Sequence, residues 1–123
     1  MNINISQLSQ TPIYEQIEDQ IRQQILSGEM TPGEMLPSIR KTAKDLGVGI
    51  ITVKRAYDDL CIEGLLISIQ GRGVFVAQMD VSKARNVRIE QLDEKLSEVK
   101  AFCDTSSITK EELMKEIEKI WNN

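Results

Sequence analysis

Histidine is absent from the 123-residue chain. That removes the commonest metal ligand and the commonest general base. No serine or cysteine can be given a histidine partner, so the usual apparatus of nucleophilic catalysis is missing. The chain reads as neither an enzyme nor a metal protein. Cysteine occurs only at Cys61 and Cys103, far apart. Two such residues read as small buried apolar groups rather than as a disulfide or a metal pair. No apolar run approaches the roughly 18 residues of a membrane span. The first residues, MNINISQLSQ, lack the basic flank and apolar core of a signal peptide. The expected location is the cytoplasm, without a membrane partner.

A cofactor loop is missing too. Gly71-Arg72-Gly73 begins like a dinucleotide fingerprint, but position 76 is Val76 and a β-prone run follows. The fingerprint needs glycine there and a helix beyond it. No Gly-Lys-Ser/Thr occurs for a phosphate loop. No cofactor is expected.

What is present is the composition of a globular protein, 41% apolar and 28% charged, with a net charge of −4. The charge is unevenly spread. Residues 1–34 carry one basic and five acidic residues, and residues 78–123 carry eight against ten. Residues 35–77 carry six basic against four acidic. The positive excess therefore lies in the middle third, where a polyanion could be met despite the acidic total.

The periodicity predicts two modules, residues 1–77 and 78–123. Residues 1–10 read as a polar arm. Thr11-Pro12 opens a first helix, with Thr11 as its cap, and Ile13, Ile17, Ile21 and Ile25 make one apolar stripe. Ser38 caps a short second helix that ends at Gly47, with Ile39, Ala43 and Leu46 inward. A third helix over 50–63 turns Val53, Ala56, Tyr57 and Leu60 inward. After Gly64 the period becomes alternating, with Leu65, Ile67 and Ile69 on one face. A glycine-rich turn and Val74-Phe75-Val76 complete a hairpin. Helix, helix, tight turn, helix and hairpin make a winged helix-turn-helix. The fold class is mainly α with a small β-hairpin, followed by a C-terminal two-helix dimerisation tail.

In that tail a long helix from about Val81 to Cys103 carries Ile89, Leu92, Leu96, Val99 and Cys103 at heptad-like spacing. Thr109 with Glu112 forms a capping box, and Ile108 with Leu113 a hydrophobic staple. The last helix sets Leu113, Ile117, Ile120 and Trp121 on one side. Two helices this short have little core of their own. A second copy could bury both seams, so a homodimer is the expected state. The competing arrangement folds the helical hairpin onto its own winged module.

DNA contacts fall on three elements. The third helix offers Gly49, Ile50, Ile51, Thr52, Lys54 and Arg55 at its start and outer face, where a recognition helix meets base edges in the major groove. Ser38 and Arg40 begin the second helix, one suited to a phosphate and the other to guanine. Gln70, Gly71 and Arg72 form the hairpin tip, with an arginine suited to a narrow minor groove. The alternative is a winged-helix protein-interaction module that touches no DNA.

The pattern S-x-R-x-x-A-x-x-L-G-V, then T-V-x-x-A-Y-x-x-L-x-x-E-G, then G-x-G-x-F-V, over about residues 11–77, resembles the GntR family of bacterial transcriptional regulators. The short two-helix tail is similar to that of the YtrA-like subgroup, where it is a dimerisation element. The resemblance implies a sequence-specific homodimeric regulator, a repressor by expectation, on inverted-repeat operator DNA. It implies DNA contacts from Ser38, Arg40, the Gly49–Thr52 corner, Lys54 and the Gln70–Arg72 tip. The family often places serine, asparagine or arginine in that corner, whereas here it reads Gly49-Ile50-Ile51. Isoleucine can touch a thymine methyl but cannot hydrogen-bond a base. Discrimination then falls on Arg40 and Arg72. The sequence leaves room for an unidentified small-molecule effector and names no residue set for it.

Overall fold

The computed structural model describes residues 1–123, in two compact units, Met1–Ala84 and Arg85–Asn123. The chain runs α1 (Ile13–Ser27), α2 (Ile39–Leu46), α3 (Ile50–Ile62), β1 (Leu66–Ile69), β2 (Gly73–Val76), α4 (Val81–Thr105) and α5 (Lys110–Trp121). The first unit is the winged helix-turn-helix that the periodicity predicts.

Its core follows the stripes. Ile17, Ile21 and Ile25 of α1 are fully buried, with Val53, Ala56, Tyr57 and Leu60 of α3 and Leu36, Leu66 and Val76 around them. Each such aliphatic side chain contributes about 1.5–3 kcal/mol by leaving water. α3 is the central element, packing on α1, α2 and β1. Between α2 and α3 the chain turns at Gly47, whose φ of 67° is left-handed and whose N–H returns to the end of α2.

Two local readings change. Thr11 does not cap α1: Pro12 stands at the cap with ψ 148°, and no side chain caps it. Proline's fixed φ suits the extended cap position as well as the first helical one, so the helix starts a residue later. The Thr11 carbonyl instead accepts from Gln16 Nε2 at 2.8 Å. In the hairpin, Leu65 belongs to the exit from α3, its N–H bonding the Leu60 carbonyl at 3.0 Å. The pleat begins at Leu66, which pairs with Val76, while Ile67 pairs with Phe75. The inner face is therefore that of Leu66, and Ile67 is left 49% exposed. The segment Gly33–Leu36 adds a third strand-like edge to the hairpin. It runs along the free edge of β2, with Gly33 N–H to the Val76 carbonyl, Val76 N–H to Glu34 and Leu36 N–H to Val74, each 2.8 Å.

The arm at residues 1–6 is ordered by a ladder that pattern reading does not reveal. Gln24, Gln20 and Gln16 each face one backbone residue of the arm. Gln20 Nε2 donates to the Asn4 carbonyl at 2.6 Å, and its Oε1 accepts from the Asn4 N–H at 2.8 Å. Gln16 holds Ser6 in the same way, and Gln24 holds Asn2. Four helical residues rise about 6 Å. Two extended residues span about 6.6 Å. A helix row of amides can thus pair with every second residue of a strand. Ile3 and Ile5, between the rungs, pack against the core.

In the tail, Asp80 stands just before α4, its carboxylate accepting from the Ser82 N–H at 2.9 Å. α5 has the full capping box of Thr109 and Glu112. Ile108, Leu113 and Ile117 are half-buried, and Cys103 is buried.

Candidate nucleic-acid interface

Ser38 caps α2, its Oγ accepting from the Lys41 N–H at 3.1 Å. That fixes the backbone entry, so Ile39 and Arg40 open the helix with their N–H groups directed past its end. Arg40 is exposed and forms no ion pair or side-chain hydrogen bond with the protein. Lys41, one residue on, is engaged by Asp45 at 3.0 Å.

α3 begins at Gly49, which supplies no side-chain cap. The first N–H groups of α3 therefore lack the satisfaction a serine or asparagine would give them. Ile51 is 83% exposed and Ile50 45%. Thr52 is half-buried with no side-chain hydrogen bond. Lys54 is exposed but engaged by Asp58, four residues on. Arg55 turns towards α1, its guanidinium 3.6 Å from the centroid of the Tyr14 ring and 3.9 Å from Asp59.

At the hairpin tip Arg72 N–H donates to the Ile69 carbonyl at 3.0 Å, closing a turn with Gly71 at its third position. Gly71 has φ 77°, the value a type II turn demands there, which favours glycine. Gln70 and Arg72 are exposed, and the Arg72 guanidinium has no protein partner. Among the basic side chains of α2, α3 and the tip, Lys41, Lys54 and Arg55 thus have acidic neighbours, while Arg40, Lys44 and Arg72 have none. Exposed pairs of this kind are worth little. They still decide which cations meet a phosphate without competition.

Where α1 crosses α3, one acidic side chain is buried. Glu18 of α1 is 7% exposed and lies against Asp59. Burial, then the hydrogen bond and charge of Asp59, push its carboxyl up to about 8, against the opposing charge of Arg22. Glu18 Oε1 meets no donor. Protonated, Glu18 faces Asp59 as a donor rather than as a second buried charge.

Tyr57 was legible from the sequence only as an apolar core residue. Its hydroxyl donates to the Pro37 carbonyl at 2.9 Å, and Thr42 Oγ1 lies 2.9 Å from it. Burial pushes its pKa up, so it keeps its proton.

In the tail unit, Ile89, Leu92, Leu96 and Val99 of α4 are exposed, as are Ile120 and Trp121 of α5, the last by 80%. Leu113 and Ile117 of α5 are half-buried, whereas the α4 seam is exposed.

Residues 13–76 match the family described as bacterial regulatory proteins, gntR family. The chain belongs to that family. It is 31% identical to the HTH-type transcriptional repressor YtrA of Bacillus subtilis (strain 168), over 96% of this chain and 91% of that protein. It is 42% identical to the HTH-type transcriptional repressor NagR of the same organism, over 67% of this chain, and spans 34% of NagR's length. Among solved structures, a transcriptional antiterminator from Listeria monocytogenes EGD-e superposes with a TM-score of 0.76 at 30% identity, covering 98% of this chain and 90% of that one. The AraR DNA-binding domain in complex with operator ORX1 superposes with a TM-score of 0.55 at 34% identity, covering 61% of this chain and 93% of that one. Family membership makes the chain a transcriptional regulator with a DNA-binding domain, not an enzyme.

Proposed function

We propose that the chain is a homodimeric, sequence-specific repressor that binds an inverted-repeat operator. Residues 1–77 form the DNA-binding part. α3 enters the major groove with Gly49, Ile50, Ile51, Thr52 and Lys54 towards the bases, and Ser38 and Arg40 meet phosphate and guanine beside it. The Gln70–Arg72 tip reaches the minor groove. Residues 78–123 are the dimerisation tail, with Ile89, Leu92, Leu96, Val99, Leu113, Ile117, Ile120 and Trp121 in its seam. The repressing sense is taken from the names of YtrA and NagR, and the operator partner from the AraR complex.

One observation carries the reading. At the two arginines best suited to base and groove recognition, Arg40 and Arg72, the structure leaves exposed guanidinium groups with no partner on the protein, while Lys41, Lys54 and Arg55 are engaged. The exposed α4 seam supports the dimer. A twofold dimer requires two half-sites related by inversion. Selection from a random-sequence duplex pool tests this: an enriched inverted repeat is expected, and a pool that enriches no motif contradicts it.

A further inference from the structure

We propose that the Tyr57 hydroxyl is a positioning group for DNA reading, holding the Pro37–Arg40 entry of α2 at a fixed place against α3. The proposal rests on the site described above and deepens it.

Tyr57 lies in the middle of α3 and is 1% exposed. Its ring fills the core, a task phenylalanine would perform equally. The hydroxyl does something different. A phenol has one proton, and the Pro37 carbonyl can only accept. The proton therefore goes to Pro37, 2.9 Å away, and Thr42 must donate to the phenol oxygen, also at 2.9 Å. The order is Thr42 O–H to Tyr57 O–H to Pro37 carbonyl, and each bond polarises the next.

Both partners belong to one short stretch. Pro37 precedes the Ser38 cap, and the Thr42 N–H closes the first turn on the Ser38 carbonyl at 2.9 Å. Arg40 lies between them. The Tyr57 bond to Pro37 thus holds the entry of α2, while Thr42, on the same turn, supplies the proton that fills the phenol oxygen. It sets where Arg40 emerges relative to Ile50 and Ile51. α2 is only eight residues long. A helix that short has little packing of its own with which to hold its angle. A buried tyrosine that merely satisfies its hydroxyl would need one partner anywhere; here both lie on the turn that carries the reading arginine.

The full-length chain, its selected operator duplex and four variants test this: Tyr57→Phe, Thr42→Val, Arg40→Ala and the Arg40→Ala/Tyr57→Phe double variant. Anisotropy titration reads affinity, and urea unfolding reads stability. Tyr57→Phe keeps the fold and weakens operator binding about five- to tenfold, the worth of one such hydrogen bond. In the Arg40→Ala background the same change weakens binding by less than about twofold, since the group being positioned is gone. Thr42→Val loses comparable stability yet keeps affinity within about twofold, because the bond to Pro37 survives. Losses from Tyr57→Phe and Arg40→Ala that multiply overturn the positioning role and leave the site intact. Affinity lost by Thr42→Val in step with stability overturns it as well. Arg40→Ala binding like the parent removes the site reading itself, and the proposal with it.

Discussion

Arg22 of α1 grips Glu63, the residue that closes α3, with two parallel bonds, Nε to Oε2 at 3.1 Å and Nη2 to Oε1 at 2.6 Å. A third bond, from Nη1 to Asp19 at 2.8 Å, fills the remaining arm of the fork. Arg22 is 8% exposed, so this charge is held in place by its partners rather than by water. Arg22→Ala removes the clamp and leaves Asp19, Glu63 and Glu18 without their common cation. Glu63 is partly solvated, which moderates the cost to about 1–3 kcal/mol. Urea unfolding measures it. A change below about 0.5 kcal/mol would mean that solvent replaces the clamp fully.

The Glu18–Asp59 pair makes stability depend on pH. The Glu18 carboxyl is raised from 4.5 to about 8 in the folded chain. Between those values the folded state binds the proton more tightly than the unfolded one. The contribution is therefore complete below about pH 4.5, declines as pH rises towards about 8, and is lost above it. Glu18→Gln, which needs no proton to donate to Asp59, should raise stability at pH 8 by about 1–3 kcal/mol and flatten this dependence. Thermal unfolding from pH 6 to pH 9 checks it. A parent and variant that run parallel across that range would show that the pair does not share a proton.

This pair marks the limit of what the sequence discloses. The stripe Ile17, Ile21 and Ile25 and the inward face of α3 were legible because burial imposes a helical period on residue type. The order of elements and the polar tip were legible for the same reason. Glu18 sits in the α1 pattern as a polar residue between apolar ones, and only the crossing of α1 with α3 sets it beside Asp59. The glutamine rungs at 16, 20 and 24 have helical spacing, yet glutamine at that spacing is the mark of a solvated face; the arm that meets them supplies their meaning. Alternation alone does not say which face of the hairpin is inner, and Leu65 leaves α3 before the pleat, so Ile67 and Ile69 lie on the outer face. Arg40 and Arg72 could be singled out by type and place, but their lack of partners is visible only when Asp45, Asp58 and Asp59 are seen to engage Lys41, Lys54 and Arg55.

At the wing, Gly71 and Arg72 separate turn geometry from groove contact. A Cβ at Gly71 meets no atom within 4 Å, but φ of 77° is strained for other residues. Gly71→Ala should cost about 1 kcal/mol locally. Arg72→Ala leaves stability alone and weakens binding most on operators with A·T-rich flanks, where the minor groove is narrow. Titrations against operators differing only in their flanks distinguish the roles. Equal loss on every flank would make Arg72 a phosphate clamp.

The tail prediction depends on where the chain is cut. Met79 and Ala84 pack on the core of the first unit, so a cut after Ala77 strips part of it. A chain ending at Ala84 retains those contacts. It should fold, sediment as a monomer and bind DNA weakly, since each half-site then acts alone. A chain ending at Ala84 that sediments as a dimer would place the interface outside the tail.

The salt dependence of operator binding is the decisive measurement. Affinity of the full chain for its selected operator is titrated from low to high salt, beside Arg40→Ala. The parent should show a steep linear fall of log affinity with log salt, the signature of counterions released from phosphates. Arg40→Ala should lose about tenfold or more in operator affinity, within the range of one bidentate base contact, while its preference over unrelated DNA shrinks. A parent affinity indifferent to salt, or an Arg40→Ala variant matching the parent in both affinity and preference, would contradict the proposed reading of the operator.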